Sequence, residues 1–185
     1  SNALFANTTG HSNVAVGHAA ADANTTGNYN TAVGQAALGA NNTGSGASAL
    51  GQAALRQNTT GANNTGVGIS ALDANQTGSY NVAVGGLAAD ASTAADNIVA
   101  VGYEALSANT ASNNTAVGWQ AGKANTSGTG LTAVGRRALL NNTTGVNNTA
   151  VGYQAASTQT GANNNTGIGY NALQATSTGS ENTAV

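Results

Sequence analysis

The chain has 185 residues, of which 5% are charged and 4% aromatic, with no proline, cysteine or methionine and a net charge of −2. That balance supplies no basic face for nucleic acid, the missing cysteines exclude disulfides and thiolate metal sites, and no apolar run reaches membrane-spanning length. With charge and proline this scarce the composition is not that of a typical disordered chain, and a hydrophobic content of 40%, mostly Ala and Val, demands a thin, tightly wound core.

A single motif, N-T-A-V-G-x-x-A-L-x-A-N-T-T-G-x-x, repeats through the whole chain. Its landmark glycine falls at Gly17, Gly34, Gly51, Gly68, Gly85, Gly102, Gly118, Gly135, Gly152 and Gly169. Every step is 17 residues except that from Gly102 to Gly118, which is 16, and an eleventh copy ends at Val185. No charged segment precedes an apolar stretch, so no secretory signal is visible. No methionine opens the chain and both ends fall inside a repeat. Residues 1–185 therefore read as one repeat array, an internal segment of a longer fibrous protein.

The first predicted element of each copy is a short strand, beginning with Val14-Ala15-Val16 and recurring through Thr183-Ala184-Val185. Its last residue is Val16, Val33, Leu50, Val67, Val84, Val101, Val117, Val134, Val151 or Ile168, nearly always β-branched, as a strand core position asks. The residue before it is always Ala or Gly, from Ala15 and Ala32 through Gly66 to Gly167. Alternation sends that column to the opposite face, and its small size predicts close approach of another backbone. The partner is either the opposite wall of the same coil or a neighbouring chain. The neighbour is preferred, because the Val face already supplies an interior.

The second predicted element is a short extended Ala-Leu-x-Ala, opening on Ala20, Ala37, Ala54, Ala71 and their equivalents. Together with the Leu38, Leu55 and Leu72 column and the Val column, these alanines are expected to form the core. Asn-Thr-Thr-Gly clusters then turn the chain. Seventeen residues are too few for a helical solenoid repeat. The expected fold is all-β: a β-solenoid, or parallel β-roll, of about eleven coils stacked ~4.8 Å apart. Two asparagine columns, one through Asn24, Asn41 and Asn58 and one through Asn30, Asn64 and Asn81, are expected to form amide ladders between coils.

Catalytic and metal-binding constellations are not legible. Asp22, Asp73 and Asp90 share a column with Arg56 and Lys123, which reads as solvent-facing. His11 and His18 have no acid at a ligand spacing, and Gly66 and Gly167 belong to the repeat rather than to a phosphate loop. No catalytic residue, cofactor or metal is therefore expected. The one position that invites binding follows the landmark glycine and varies: His18, Gln35, Gln52, Ile69, Tyr103, Trp119, Arg136, Tyr153 and Tyr170. Tyr103 with Trp119, and Tyr153 with Tyr170, are predicted to sit one coil apart, as a surface for a sugar or protein or as a cross-coil ladder.

The copies Asn13-Val14-Ala15-Val16-Gly17 and Asn148-Thr149-Ala150-Val151-Gly152-Tyr153-Gln154-Ala155 resemble the head repeats of YadA-like trimeric autotransporter adhesins. They also resemble the N-T-A-V-G-Y-Q-A-L repeats of phage and bacterial tail-fibre-type proteins. The resemblance covers essentially the whole chain, although the second half of each repeat is longer than in the adhesins. It implies a left-handed coil, three chains about a shared axis, and an extracellular home on a cell surface or virion. The leading functional expectation is a rigid shaft of a fibre, self-associating as a homotrimer or filament, without membrane insertion. The alternatives are a glycan- or receptor-binding module, an ice-binding face on the Thr26, Thr43, Thr60 and Thr77 column, and an amyloid-like filament.

Overall fold

Each Thr-Ala-Val, or its equivalent, is extended and pairs with the same segment one copy on. The computed structural model describes residues 2–175 and 177–185. Its strands are β1 (Val14–Val16), β2 (Thr31–Val33), β3 (Ser48–Leu50), β4 (Thr65–Val67), β5 (Val82–Val84), β6 (Val99–Val101), β7 (Thr115–Val117), β8 (Thr132–Val134), β9 (Thr149–Val151), β10 (Thr166–Ile168) and β11 (Thr183–Ala184). They form one parallel sheet of 11 strands in sequence order. The β-solenoid expected from the repeat is the fold observed, and at the spacing of adjacent strands it is a rod about 48 Å long.

The register never slips. Val16 lies opposite Val33, and Val33 opposite Leu50. Even the short copy keeps it, with Val99 opposite Thr115. The missing residue is absorbed at Ala111, in a turn. In a full copy the Asn58 amide donates to the carbonyl of Gly61, three residues on, at 2.9 Å; in the short copy Asn109 donates to Ala111, two residues on, at 2.7 Å.

Two expectations are corrected. The first concerns which side of the strand faces in. Val16, Val33, Val67, Val84, Val101, Val117, Val134, Val151 and Ile168 lie on the outer face, half-buried or exposed, with Val16 58% and Ile168 41% exposed. The Ala/Gly column between the outward pair is the buried one: Ala32, Ala83, Ala100, Ala116 and Ala150 are all 0% exposed. The reason is width. A Cβ added to Gly66 would lie 3.2 Å from Leu55 Cγ and 3.1 Å from the Ala71 carbonyl oxygen. Leucines from the facing wall already fill the coil, leaving room for Ala or Gly and none for Val. The close backbone behind the small column is thus the opposite wall of the same coil, not a neighbouring chain.

The second correction concerns that facing wall. Ala20, Ala37, Ala54 and Ala71 are fully buried as expected, as are Leu38, Leu55 and Leu72. The segment is not a strand, however. Alternate residues take left-handed backbone, as in Ala36 (φ 56) and Leu38 (φ 53), or Ala53 (φ 56) and Leu55 (φ 52). Tight turns curl it, with the Ala37 amide donating to Gly34 at 3.3 Å and Asn41 to Leu38 at 3.1 Å. Other amides still reach neighbouring coils, Ala36 to His18 at 2.8 Å and Leu38 to Ala54 at 3.0 Å. The backbone is therefore paired along the rod on both walls.

The asparagine columns close the core. Asn58, fully buried, donates to Asn41 Oδ1 at 2.8 Å and accepts from Asn75 Nδ2 at 2.7 Å. In the other column Asn64 donates to the Gly78 carbonyl at 2.7 Å, and its Oδ1 accepts from the backbone of Asn81 at 2.9 Å. A neutral, fully buried ladder of this kind satisfies turn groups that would each lose roughly 1–3 kcal/mol if left unpaired. The landmark glycine forms the corner between the walls. Gly51 has φ 134, and a Cβ there would lie 2.5 Å from the Gly68 carbonyl oxygen, so both backbone geometry and the next coil demand glycine.

Candidate binding surface

The column after the corner glycine is exposed, as its variability suggested. On four consecutive coils it carries Trp119, Arg136, Tyr153 and Tyr170. The Arg136 guanidinium lies 4.7 Å from the Trp119 ring centroid and 5.3 Å from that of Tyr153, and donates to the Tyr153 hydroxyl at 2.8 Å. Tyr153 and Tyr170 stack with centroids 5.2 Å apart and an interplanar angle of 8°. The four side chains thus form one ladder along the rod, each planar group covering a face of the next. Interior faces of the ladder are occupied, so an incoming sugar meets ring edges there. Only the outer face of Tyr170, 75% exposed, is broadly open. Tyr103 is not stacked on Trp119; its ring leans over the neighbouring coil, where a Cβ on Gly86 would meet Cδ2 at 3.5 Å.

The next column holds Arg137, which sequence reading offered together with Arg136 for a glycan or receptor, and adds Gln120 and Glu104, which it missed. Arg137 stacks on the same indole, 4.9 Å from its centroid, and its Nε donates to Gln120 Oε1 at 3.3 Å. Gln120 donates to Glu104 Oε2 at 2.6 Å, and Lys123 Nζ reaches the same oxygen at 2.6 Å. These bonds to Lys123, and then to Gln120, hold the Glu104 carboxyl below its ordinary range. Beside this network lies an open groove of about 420 Å³, lined by Gln120, Lys123 and Arg137 with Ser107, Leu140 and Asn141. The sequence signal was available: three of the chain's four Lys and Arg residues fall between positions 123 and 137.

Elsewhere polar groups are spent on the rod itself. Arg56 and Asp73, in the column read as solvent-facing, pair across coils through two bonds of 2.8 and 3.0 Å. Burial raises the Asp90 carboxyl above its ordinary value. The hydroxyls of Thr25, Thr59 and Thr143 donate to carbonyls one coil on, at 2.9–3.1 Å. Asn24-Thr25-Thr26, Asn58-Thr59-Thr60 and Asn142-Thr143-Thr144 have the Asn-x-Thr form of an N-glycosylation acceptor, but their asparagines belong to the ladder and are fully buried in the folded rod. Among the described residues there is no cluster of His, Cys, Asp or Glu arranged to hold a metal, and no helix is long and apolar enough to cross a membrane.

No protein-family model, curated protein or solved structure matches the chain.

Proposed function

We propose that this chain is a shaft segment of an extracellular fibre, a tail fibre or surface adhesin, in which three copies pack through the outer face of the parallel sheet. The observation that carries the reading is the outward aliphatic column. It runs along the rod on ten successive strands, from Val16 to Ile168, and none of the 11 strands contains a charged residue. Soluble sheet surfaces are normally broken up by charge; an apolar stripe of this length calls for a cover. A second copy is the natural occupant, because only another array of the same repeat offers apolar side chains at the same interval over the same distance. Such a shaft holds a distant tip away from its anchoring surface. Its stiffness comes from backbone pairing on both walls, since bending the rod opens hydrogen bonds on its convex side.

Sedimentation equilibrium tests this reading. The segment is expected to run as a trimer, and Val84→Lys with Val117→Lys to run as a monomer that keeps its far-ultraviolet spectrum. A wild-type monomer over the accessible concentration range overturns self-assembly through this face.

A further inference from the structure

We propose that the groove beside Trp119 is a site for an anionic ligand and that it binds a carboxylate-bearing sugar residue of an acidic glycan. Three observations converge there. Arg136, Arg137 and Lys123 stand together on consecutive coils near two acids, Glu104 and Asp90, whereas the remaining charged residues are Arg56 and four acids. The rod is thus positive at this place and negative over the rest. Second, Arg137 is held before any ligand arrives: its guanidinium carbon lies over the Trp119 ring, 4.9 Å from the centroid, and Nε donates to Gln120 at 3.3 Å. That fixes the direction in which its outer N–H pair points, the arrangement that suits bidentate capture of a carboxylate. Third, the groove is amphipathic. Ser107 and Asn141 bring a hydroxyl and an amide, and Leu140 brings an apolar patch, matching a pyranose with its hydroxyl rim and C–H faces. A volume of about 420 Å³ lies within the ~300–1,000 Å³ of small-molecule sites.

The site lies on the turn wall and shares no residue with the Val stripe, so it stands or falls apart from self-assembly. Lys123 is anchored to Glu104 and contributes field rather than the leading contact. Arg137 gives the directional one, and the Trp119–Arg136–Tyr153 ladder flanks it.

The test is calorimetric titration of the intact chain with oligogalacturonate, with its methyl ester, and with dextran sulfate. Oligogalacturonate is expected to bind, and to bind at least tenfold more weakly when Arg137 is replaced by Ala, with Arg137→Lys intermediate. Arg56→Ala, a cation elsewhere on the rod, is expected to leave affinity unchanged. The methyl ester is expected to bind at least tenfold more weakly than the free acid. Equal binding of the ester, or equal losses for Arg56→Ala and Arg137→Ala, overturns the site, as does the absence of binding. Tight binding of dextran sulfate alone replaces the carboxylated sugar with a sulfated one and overturns the stated class. Unchanged thermal unfolding of Arg137→Ala, measured alongside, separates lost contact from lost fold.

Discussion

The two walls of the coil share one interior and differ in almost everything else. The sheet wall is extended and uncharged, with one outward column aliphatic and the other mostly Thr. The turn wall puts alternate residues in left-handed backbone and carries the ion pairs, the Trp119–Tyr170 ladder and the groove. The difference follows from backbone geometry. In a strand every second side chain points out, and a parallel stack repeats each outward residue as a column, so one apolar choice becomes a stripe. On the turn wall the residue after the corner glycine also stacks coil on coil, but its identity changes from copy to copy, from His18 and Gln35 to Trp119, Arg136 and Tyr153. Uniformity suits packing against another copy, whereas local variation suits a site.

Several substitutions sharpen or break that contrast. The largest effect is expected where both walls depend on one group: Asn58→Leu leaves Asn41 Oδ1 and Asn75 Nδ2 each without a ladder partner, a cost of about 2–6 kcal/mol at roughly 1–3 per buried group, read by denaturant unfolding. Leu72→Ala, removing a turn-wall side chain that fills the coil, is expected to lose about 2–5 kcal/mol. A paired test of the walls themselves comes next. Ala36→Thr puts a β-branched residue at φ 56 and is expected to cost about 1–3 kcal/mol, whereas Val101→Thr on the sheet's outer face should change the stability of the isolated chain by less than about 0.5 kcal/mol. Equal effects would contradict the assignment of left-handed backbone to the turn wall.

The smallest effects concern pH. Asp90 has a raised folded-state value through burial, so its ionisation opposes folding, and that penalty grows as pH rises from the unfolded value of about 3.8 through the folded one. Asp90→Asn is expected to gain slightly in stability at neutral pH and to lose that advantage in acid. Glu104, with a lowered value, works the other way: its contribution is complete above about 4.5 and is lost as pH falls through the folded value. Lys123→Gln should flatten that acid limb in a series of melting curves.

Much of the rod was legible in the residues. The spacing of Gly17 to Gly34 and onward implied coils, and identical strands one coil apart implied parallel pairing in register. The asparagine columns implied amide ladders, which Asn24, Asn41, Asn58 and Asn75 form. The left-handed wall was also written there, though as an absence: among the described residues, none of the non-glycine positions with positive φ is Val, Ile or Thr, in a chain full of Thr and Val, because branching at Cβ disfavours that backbone. Of the proposed surface residues, Trp119, Arg136, Tyr153 and Tyr170 came together, while Tyr103 stayed apart and Arg137 with Lys123 entered from neighbouring columns.

Periodicity alone was enough for the repeat, the strand positions and the direction of stacking, because each depends only on residues a fixed distance apart in the chain. Which face of the strand looks inward depended on something periodicity does not contain, the distance between the two walls. Val33 and Ala32 are equally good strand residues. Only once leucines such as Leu55 reach across to the strand, within 3.2 Å of where a Gly66 Cβ would stand, is the interior left with room for Ala or Gly, and the valines turn out to the surface of the rod.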